Sequence, residues 1–62
     1  MYQKFEGLML KNNVTAYKVA KATGILQSTL SDWKVGKYTP KLDKLQKLAD
    51  YFGVPITYFL EN

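Results

Sequence analysis

The chain has 62 residues, the size of one small domain, and carries nine lysines, no arginine and five acidic residues for a net charge of +4. Cysteine and histidine are absent, so disulfides, thiolate chemistry and the usual catalytic base are excluded. We therefore expect no enzyme, metal, cofactor or small-molecule substrate. A net positive charge is typical of nucleic-acid-binding proteins, but many small proteins that bind no nucleic acid have one too.

The apolar runs and the start of the chain argue against membrane insertion and secretion. The apolar runs, such as Leu8-Met9-Leu10 and Gly24-Ile25-Leu26, are far shorter than a bilayer requires. The first residues show no signal-peptide pattern. We expect a soluble protein of the cytoplasm that makes no use of a membrane.

The first two helices are predicted by apolar spacing and by the signals that end helices. Four residues of the first helix recur at helical spacing, namely Tyr2, Phe5, Leu8 and Met9. This helix should end at Asn12-Asn13, because asparagine tolerates the left-handed conformation. Thr15 is a good N-cap for a second helix that continues to about Thr23. Gly24 ends this helix.

A third helix is predicted from Gln27 to Val35, with Gly36 as its C-terminal stop. At about 100° per residue it has two different faces. The face with core character contains Leu26, Thr29, Leu30 and Trp33. The opposite face is mostly small and polar, and contains Gln27, Ser28, Ser31, Asp32 and Val35. Short polar groups suit a helix that offers donors and acceptors to base edges in a groove, although an ordinary polar surface looks the same.

The fourth helix has the clearest pattern of the chain. Its apolar residues repeat at intervals of three and four, namely Leu42, Leu45, Leu48, Ala49 and Phe52. Gly53 ends it, and Pro55 can open a last short helix that carries Ile56, Phe59 and Leu60. No segment alternates with period two for long enough to form a strand. The sequence predicts an all-α fold of five helices in a single domain, residues 1–62.

Two helices at residues 15–23 and 27–35, joined by a short turn with a glycine, have the dimensions of a helix-turn-helix unit at about 15–35. Residues 2–60 resemble the Cro/CI (XRE-type) helix-turn-helix domains of lambdoid phage repressors. The marks are Thr15, Val19-Ala20, Gly24-Ile25, Ser28-Thr29-Leu30-Ser31, Trp33, Gly36-Lys37, Pro40, Leu42, Leu45, Leu48-Ala49 and Phe52-Gly53-Val54.

This resemblance implies a fold, a function and a place of action. The fold is a compact five-helix, lambda-repressor-like domain. The function is sequence-specific binding of double-stranded DNA as a repressor-like phage or bacterial transcriptional regulator, with residues 27–35 in the major groove. Such a protein would be nucleoid-associated, in the bacterial host cell if a phage encodes it.

The resemblance also assigns roles to single positions. The base-reading positions are Gln27, Ser28 and Asp32. Gln27 could bind adenine N6 and N7, and Ser28 could bind a base or a phosphate. Asp32 could accept from cytosine N4, repel the DNA backbone and so narrow the choice of site, or be only a solubilising charge. The phosphate-contacting positions are Thr15, Ala16, Val35, Lys37, Tyr38, Thr39 and Lys41. Leu30 and Trp33 would anchor the recognition helix in the core.

Four positions depart from the family pattern. Ala16 replaces a frequent glutamine, so a phosphate contact there would come from an amide or be absent. Leu26 replaces the usual Ser or Thr cap of the recognition helix, and the helical wheel places it with the core. Val35 replaces a phosphate-binding asparagine and could touch a thymine methyl group. Lys41 replaces a capping serine, which leaves Thr39 as the substitute cap of the fourth helix.

The aromatic residues near the C-terminus allow two interpretations. Tyr51, Tyr58 and Phe59 either close the core or form an exposed patch for a homodimer on palindromic sites, since family members commonly bind as two-fold dimers. The alternative function is a protein-interaction module, such as an antitoxin-like partner that uses the C-terminal helix. A large apolar patch around these aromatic residues, with a weak basic surface, would favour that alternative.

Overall fold

The computed structural model describes residues 1–61, and within that range it contains five α-helices and no strand. The helices are α1 (Tyr2–Asn12), α2 (Ala16–Thr23), α3 (Gln27–Lys34), α4 (Leu42–Phe52) and α5 (Thr57–Leu60). The predicted all-α fold of five helices is therefore confirmed. None of these helices has both the length and the apolar character needed to span a membrane. Asn62, the last residue of the predicted domain, lies outside the described residues.

The helices end at the residues that the sequence predicts. After α1, α3 and α4, a residue with positive φ turns the chain back, and the two amides at the turn donate to carbonyls of the last helical turn; these residues are Asn13, Gly36 and Gly53. The end of α2 is tighter, because the Gly24 amide makes a single bond of 2.9 Å to the Ala20 carbonyl. Gly24 has φ 81°, a conformation that glycine adopts without a steric penalty. Only residues 24–26 then separate α2 from α3.

One apolar core joins the helices. Its buried members are Phe5, Leu8, Val19, Ile25, Leu30, Trp33, Leu45, Leu48, Ala49 and Phe59. α2 packs against α3 and α4, and α5 packs against α1 and α4. The Phe5 ring stacks on Trp33 with 5.2 Å between centroids, and the Tyr2 ring meets Trp33 edge-on at 5.3 Å. Burial, together with the nearby Glu6 carboxylate, raises the pKa of Tyr2. These rings fasten α3 to α1.

Two leucines that the helical patterns place in the core are exposed, so those two predictions are wrong. Leu26 is 69% exposed. Its backbone is extended, with φ −63° and ψ 141°, so the helical rotation of 100° per residue does not apply to it. Ile25, the residue before it, is buried in its place. Leu42 is 62% exposed because it is the first residue of α4, and no part of residues 1–61 covers it.

The prediction that Thr39 caps α4 is also wrong. The residue that precedes α4 is Lys41, whose backbone is extended, and no side chain caps this end. Thr39 comes two residues too early to reach the first amides. Backbone bonds alone close the first turn, since the amides of Lys44 and Leu45 donate to the Lys41 carbonyl at 3.1 and 3.0 Å.

Candidate nucleic-acid interface

The N-terminus of α2 is closed by a side chain, as the sequence predicts. The Lys18 amide donates to the Thr15 hydroxyl oxygen at 3.2 Å, and Thr15 is extended, as N-cap residues usually are. Thr15 is exposed, and Ala16 is partly buried. The first amides of a helix have no carbonyl partner within the helix. This end of α2 therefore offers backbone donors at Ala16, where no polar side chain is present.

A threonine hydroxyl ties the turn between the two helices, and sequence reasoning missed this role. The Thr23 hydroxyl donates to the Val19 carbonyl at 2.8 Å, and its oxygen lies 3.3 Å from the Ile25 amide, which donates to it. The turn is thereby bonded back to α2 just where Ile25 enters the core. A threonine near the end of a helix is the only sequence signal for this bond, and it is common in helices without such a role.

The two faces of α3 differ as the sequence predicts. Leu30 and Trp33 are 3% and 5% exposed. The residues of the opposite face are all exposed, namely Gln27, Ser28, Ser31, Asp32 and Val35. Because no other part of residues 1–61 covers this face, its donors and acceptors are available to a ligand. Trp33 belongs to the core and does not serve as a stacking platform.

The segment after α3 is bonded to the end of that helix. The Gly36 amide donates to the Trp33 carbonyl at 3.2 Å, and the Lys37 amide donates to the Asp32 carbonyl at 2.8 Å. This two-bond closure sets the direction in which the chain leaves α3. It therefore places Lys37 directly beside the C-terminal end of the polar face.

The side chains of residues 37–41 divide between the surface and the interior. Pro40 is buried and Tyr38 is partly buried, which holds the segment against the domain. The other three, Lys37, Thr39 and Lys41, are exposed. Two ammonium groups and one hydroxyl therefore stand on a segment that is anchored at both its middle and its start. Such groups are suited to contact a polyanion beside the face of α3.

One interpretation of the sequence expects three C-terminal aromatic residues in an exposed patch, and the structure removes Phe59 from it. Phe59 is 2% exposed, because α5 packs against α1 and α4 and turns this ring inward. Tyr51 is half-buried, with its ring edge-on to Phe52. Tyr58 is 36% exposed, and the ammonium of Lys4 lies 5.3 Å from the centre of its ring. The inclusion of Phe59 in a contact patch is thus corrected.

The comparison with known families agrees with this geometry. The helix-turn-helix family model matches residues 7–59, which extend from α1 to α5. The chain belongs to the helix-turn-helix family. This confirms the Cro/CI-type resemblance, and the matched residues include both α2 and α3.

A curated relative of this helix-turn-helix chain is the transcriptional repressor RstR of the cryptic phage CTXphi from Vibrio cholerae. It is 32% identical over 59 residues, which cover 95% of this chain and 53% of the relative. The chain thus spans about half the length of the curated relative that it matches. No solved structure matches the chain.

Proposed function

We propose that this helix-turn-helix domain binds double-stranded DNA in a sequence-specific manner, as a repressor-like transcriptional regulator of phage or bacterial type. The observation that carries the proposal is the exposed polar face of α3, whose opposite face is anchored by Leu30 and Trp33. In this motif the second helix enters the major groove while the first crosses the DNA backbone. In the proposal, residues 1–62 form one domain that works at the bacterial nucleoid.

Three side chains on the first two turns of α3 read bases in this proposal. Gln27 donates to and accepts from the N7/N6 edge of adenine, and Ser28 bonds to a base or a neighbouring phosphate. Asp32 accepts from cytosine N4 and repels nearby phosphates, which narrows the choice of site. All three side chains are exposed. Since the chain has no arginine, the usual bidentate reading of guanine by arginine does not contribute.

Two groups of residues hold the DNA backbone in this proposal. The first is the N-terminus of α2, where Thr15 and the Ala16 amide meet one phosphate. The second follows the polar face of α3 and consists of Val35, Lys37, Tyr38, Thr39 and Lys41. The exposed lysines of this second group support it, as does the bond that attaches its start to α3. Each subunit contacts about four to six phosphates in this proposal. The logarithm of the DNA-binding constant K then falls as the logarithm of the salt concentration rises, with a slope of roughly −0.9 per phosphate.

Two copies would bind a palindromic site as a homodimer in this proposal, with their recognition helices about 34 Å apart, one turn of DNA. The contact would use the outward residues of α5 and its surroundings rather than Phe59. Tyr58 and Leu60 are 36% and 52% exposed, and Tyr51 is half-buried. This exposed apolar surface next to the C-terminus supports a small two-fold contact.

Selection of binding sites from random duplex DNA, carried out at two salt concentrations, tests the proposal. We expect a recurrent sequence with two symmetric half-sites about 10 base pairs apart, centre to centre. Affinity for every selected sequence should fall at the higher salt, as phosphate contacts require. A bound pool that stays random after several rounds would refute sequence-specific binding. A recurrent sequence without symmetry would refute only the homodimer.

A further inference from the structure

Leu26 is an exposed apolar side chain at the start of the recognition helix. It is 69% exposed and directly precedes Gln27. It adds nothing to the core, because Ile25 and Leu30 occupy the buried positions on either side of it in the chain. It also adds nothing to the first turn of α3, where no side-chain cap bond is present. Serine or threonine would stabilise the helix at this position, so the leucine has no structural advantage there.

The surroundings of Leu26 combine apolar surface with a hydrogen-bonding amide. A shallow surface depression of about 350 Å³ is lined by Tyr17, Ala20, Lys21, Gly24, Ile25, Leu26 and Gln27. Its wall is mainly apolar, and the exposed Gln27 side chain belongs to the same wall. Lys21, also exposed, adds a positive charge that complements a phosphate backbone. This surface is continuous with the proposed base-reading face of α3.

We propose that Leu26 contacts the 5-methyl group of a thymine in the DNA site and is a specificity-determining residue beside Gln27. The inference rests on the proposed function, because it places one more residue in the same groove. Thymine is the one base that presents a methyl group in the major groove, and apolar side chains recognise it there. Leu26 thereby favours thymine over cytosine at one position, next to the base that Gln27 reads.

Val35 offers a natural comparison at the other end of the same helix. It is 67% exposed and lies nine residues after Leu26. The eight residues of α3 between them correspond to about 12 Å along the helix axis, or between about three and four base-pair steps of DNA. Val35 is therefore too far away to touch the thymine that Leu26 contacts, and a change at Val35 leaves that contact unaffected.

Replacement of single thymines by deoxyuridine tests the inference, since it removes the methyl group and nothing else. The probe is the duplex obtained from the site selection, with one uracil at a time, and the dissociation constant is measured for each. For the wild-type chain, uracil at one position in each half-site should weaken binding about fourfold, as expected for the loss of one buried methyl group. Leu26→Ala should bind the thymine and uracil duplexes equally at that position.

Two further variants are the controls. Val35→Ala and Leu10→Ala also shorten exposed apolar side chains, and both should keep the fourfold preference for thymine at the position that Leu26 reads. Leu10 is 77% exposed on α1. Circular dichroism should show that Leu26→Ala keeps the helical content of the wild-type chain.

The outcomes separate this inference from the proposed function. If Leu26→Ala and the wild-type chain lose the same affinity at every uracil, Leu26 reads no methyl group, and specific DNA binding still stands. If the wild-type chain selects no DNA sequence, both proposals are refuted. Loss of helical content in Leu26→Ala would show that the leucine serves the core, which also overturns the inference.

Discussion

The two helices of the motif have the same length and different ends. α2 and α3 each contain eight residues. At the N-terminus of α2 the Thr15 hydroxyl accepts a bond from the Lys18 amide, whereas Leu26 leaves α3 without a side-chain cap. At the C-terminus α3 has the more extensive closure, because two backbone hydrogen bonds close its end, whereas a single one, from the Gly24 amide, closes the end of α2.

The residue at the start of α2 stabilises its helix, whereas the residue at the start of α3 is an exposed side chain that does not. α2 carries its own stabilising signal at the start, the side-chain cap of Thr15. α3 has an uncapped start and depends on Leu30 and Trp33, which are buried against the rest of the domain. Natural proteins depart from the locally best residue mainly at functional sites. The uncapped start of α3 lies next to Gln27, the first of the proposed base-reading residues.

The largest expected effect is the loss of stability when Trp33, which anchors α3 in the core, is truncated. Trp33→Ala should destabilise the domain by about 3–5 kcal/mol, the usual cost of truncating a large buried aromatic residue. Since a domain of this size has only about 3–9 kcal/mol in total, most of its stability would be lost. Urea unfolding followed by circular dichroism measures the change. Tyr17→Ala is the control, because that aromatic residue is 59% exposed on α2. Similar losses in both variants would contradict the role of Trp33 as the anchor.

The next largest effect is the change in stability when the N-cap residues of α2 and α3, Thr15 and Leu26, are replaced. Thr15→Ala should destabilise the domain by about 1 kcal/mol, and Leu26→Ser should stabilise it by a similar amount, because serine can accept a bond from the first amides of α3. Each change corresponds to a shift of about 4–8 °C in the melting temperature. Thermal unfolding of both variants measures these opposite shifts. A lower melting temperature for Leu26→Ser would mean that the leucine contributes to packing.

The smallest expected effect is on the salt dependence of DNA binding. Lys37→Ala should weaken binding to all sequences alike and reduce the slope of log K against log salt by about one unit. Lys37 is exposed and bonded through its amide to the end of α3. Lys47→Ala on α4 is the control for the removal of one charge at a site outside the interface. Equal slopes for Lys37→Ala and the wild-type chain would remove Lys37 from the phosphate-binding group.

Helix interiors and C-terminal stops could be predicted from the sequence, and the side-chain surroundings at the starts of α3 and α4 could not. Spacing identifies Leu30 and Trp33 as the inner face of α3, because within a helix the rotation per residue is fixed. Leu26 lies one residue outside the helix with an extended backbone, so the wheel assigns it to the wrong face. The hydroxyl bonds of Thr23 depend on the geometry of the turn, which spacing does not describe. Phe59 turns inward because of the packing of α5 on two other helices.

The most direct test of the account measures whether Gln27 reads a base. The affinity of the wild-type chain and of Gln27→Ala is measured for the selected duplex and for every single-base-pair variant of it, with Gln46→Ala on α4 as the matched control. We expect Gln27→Ala to lose about 1–3 kcal/mol of discrimination at one or two positions in each half-site, and Gln46→Ala to lose none. Equal discrimination by Gln27→Ala and the wild-type chain at every position would contradict the account.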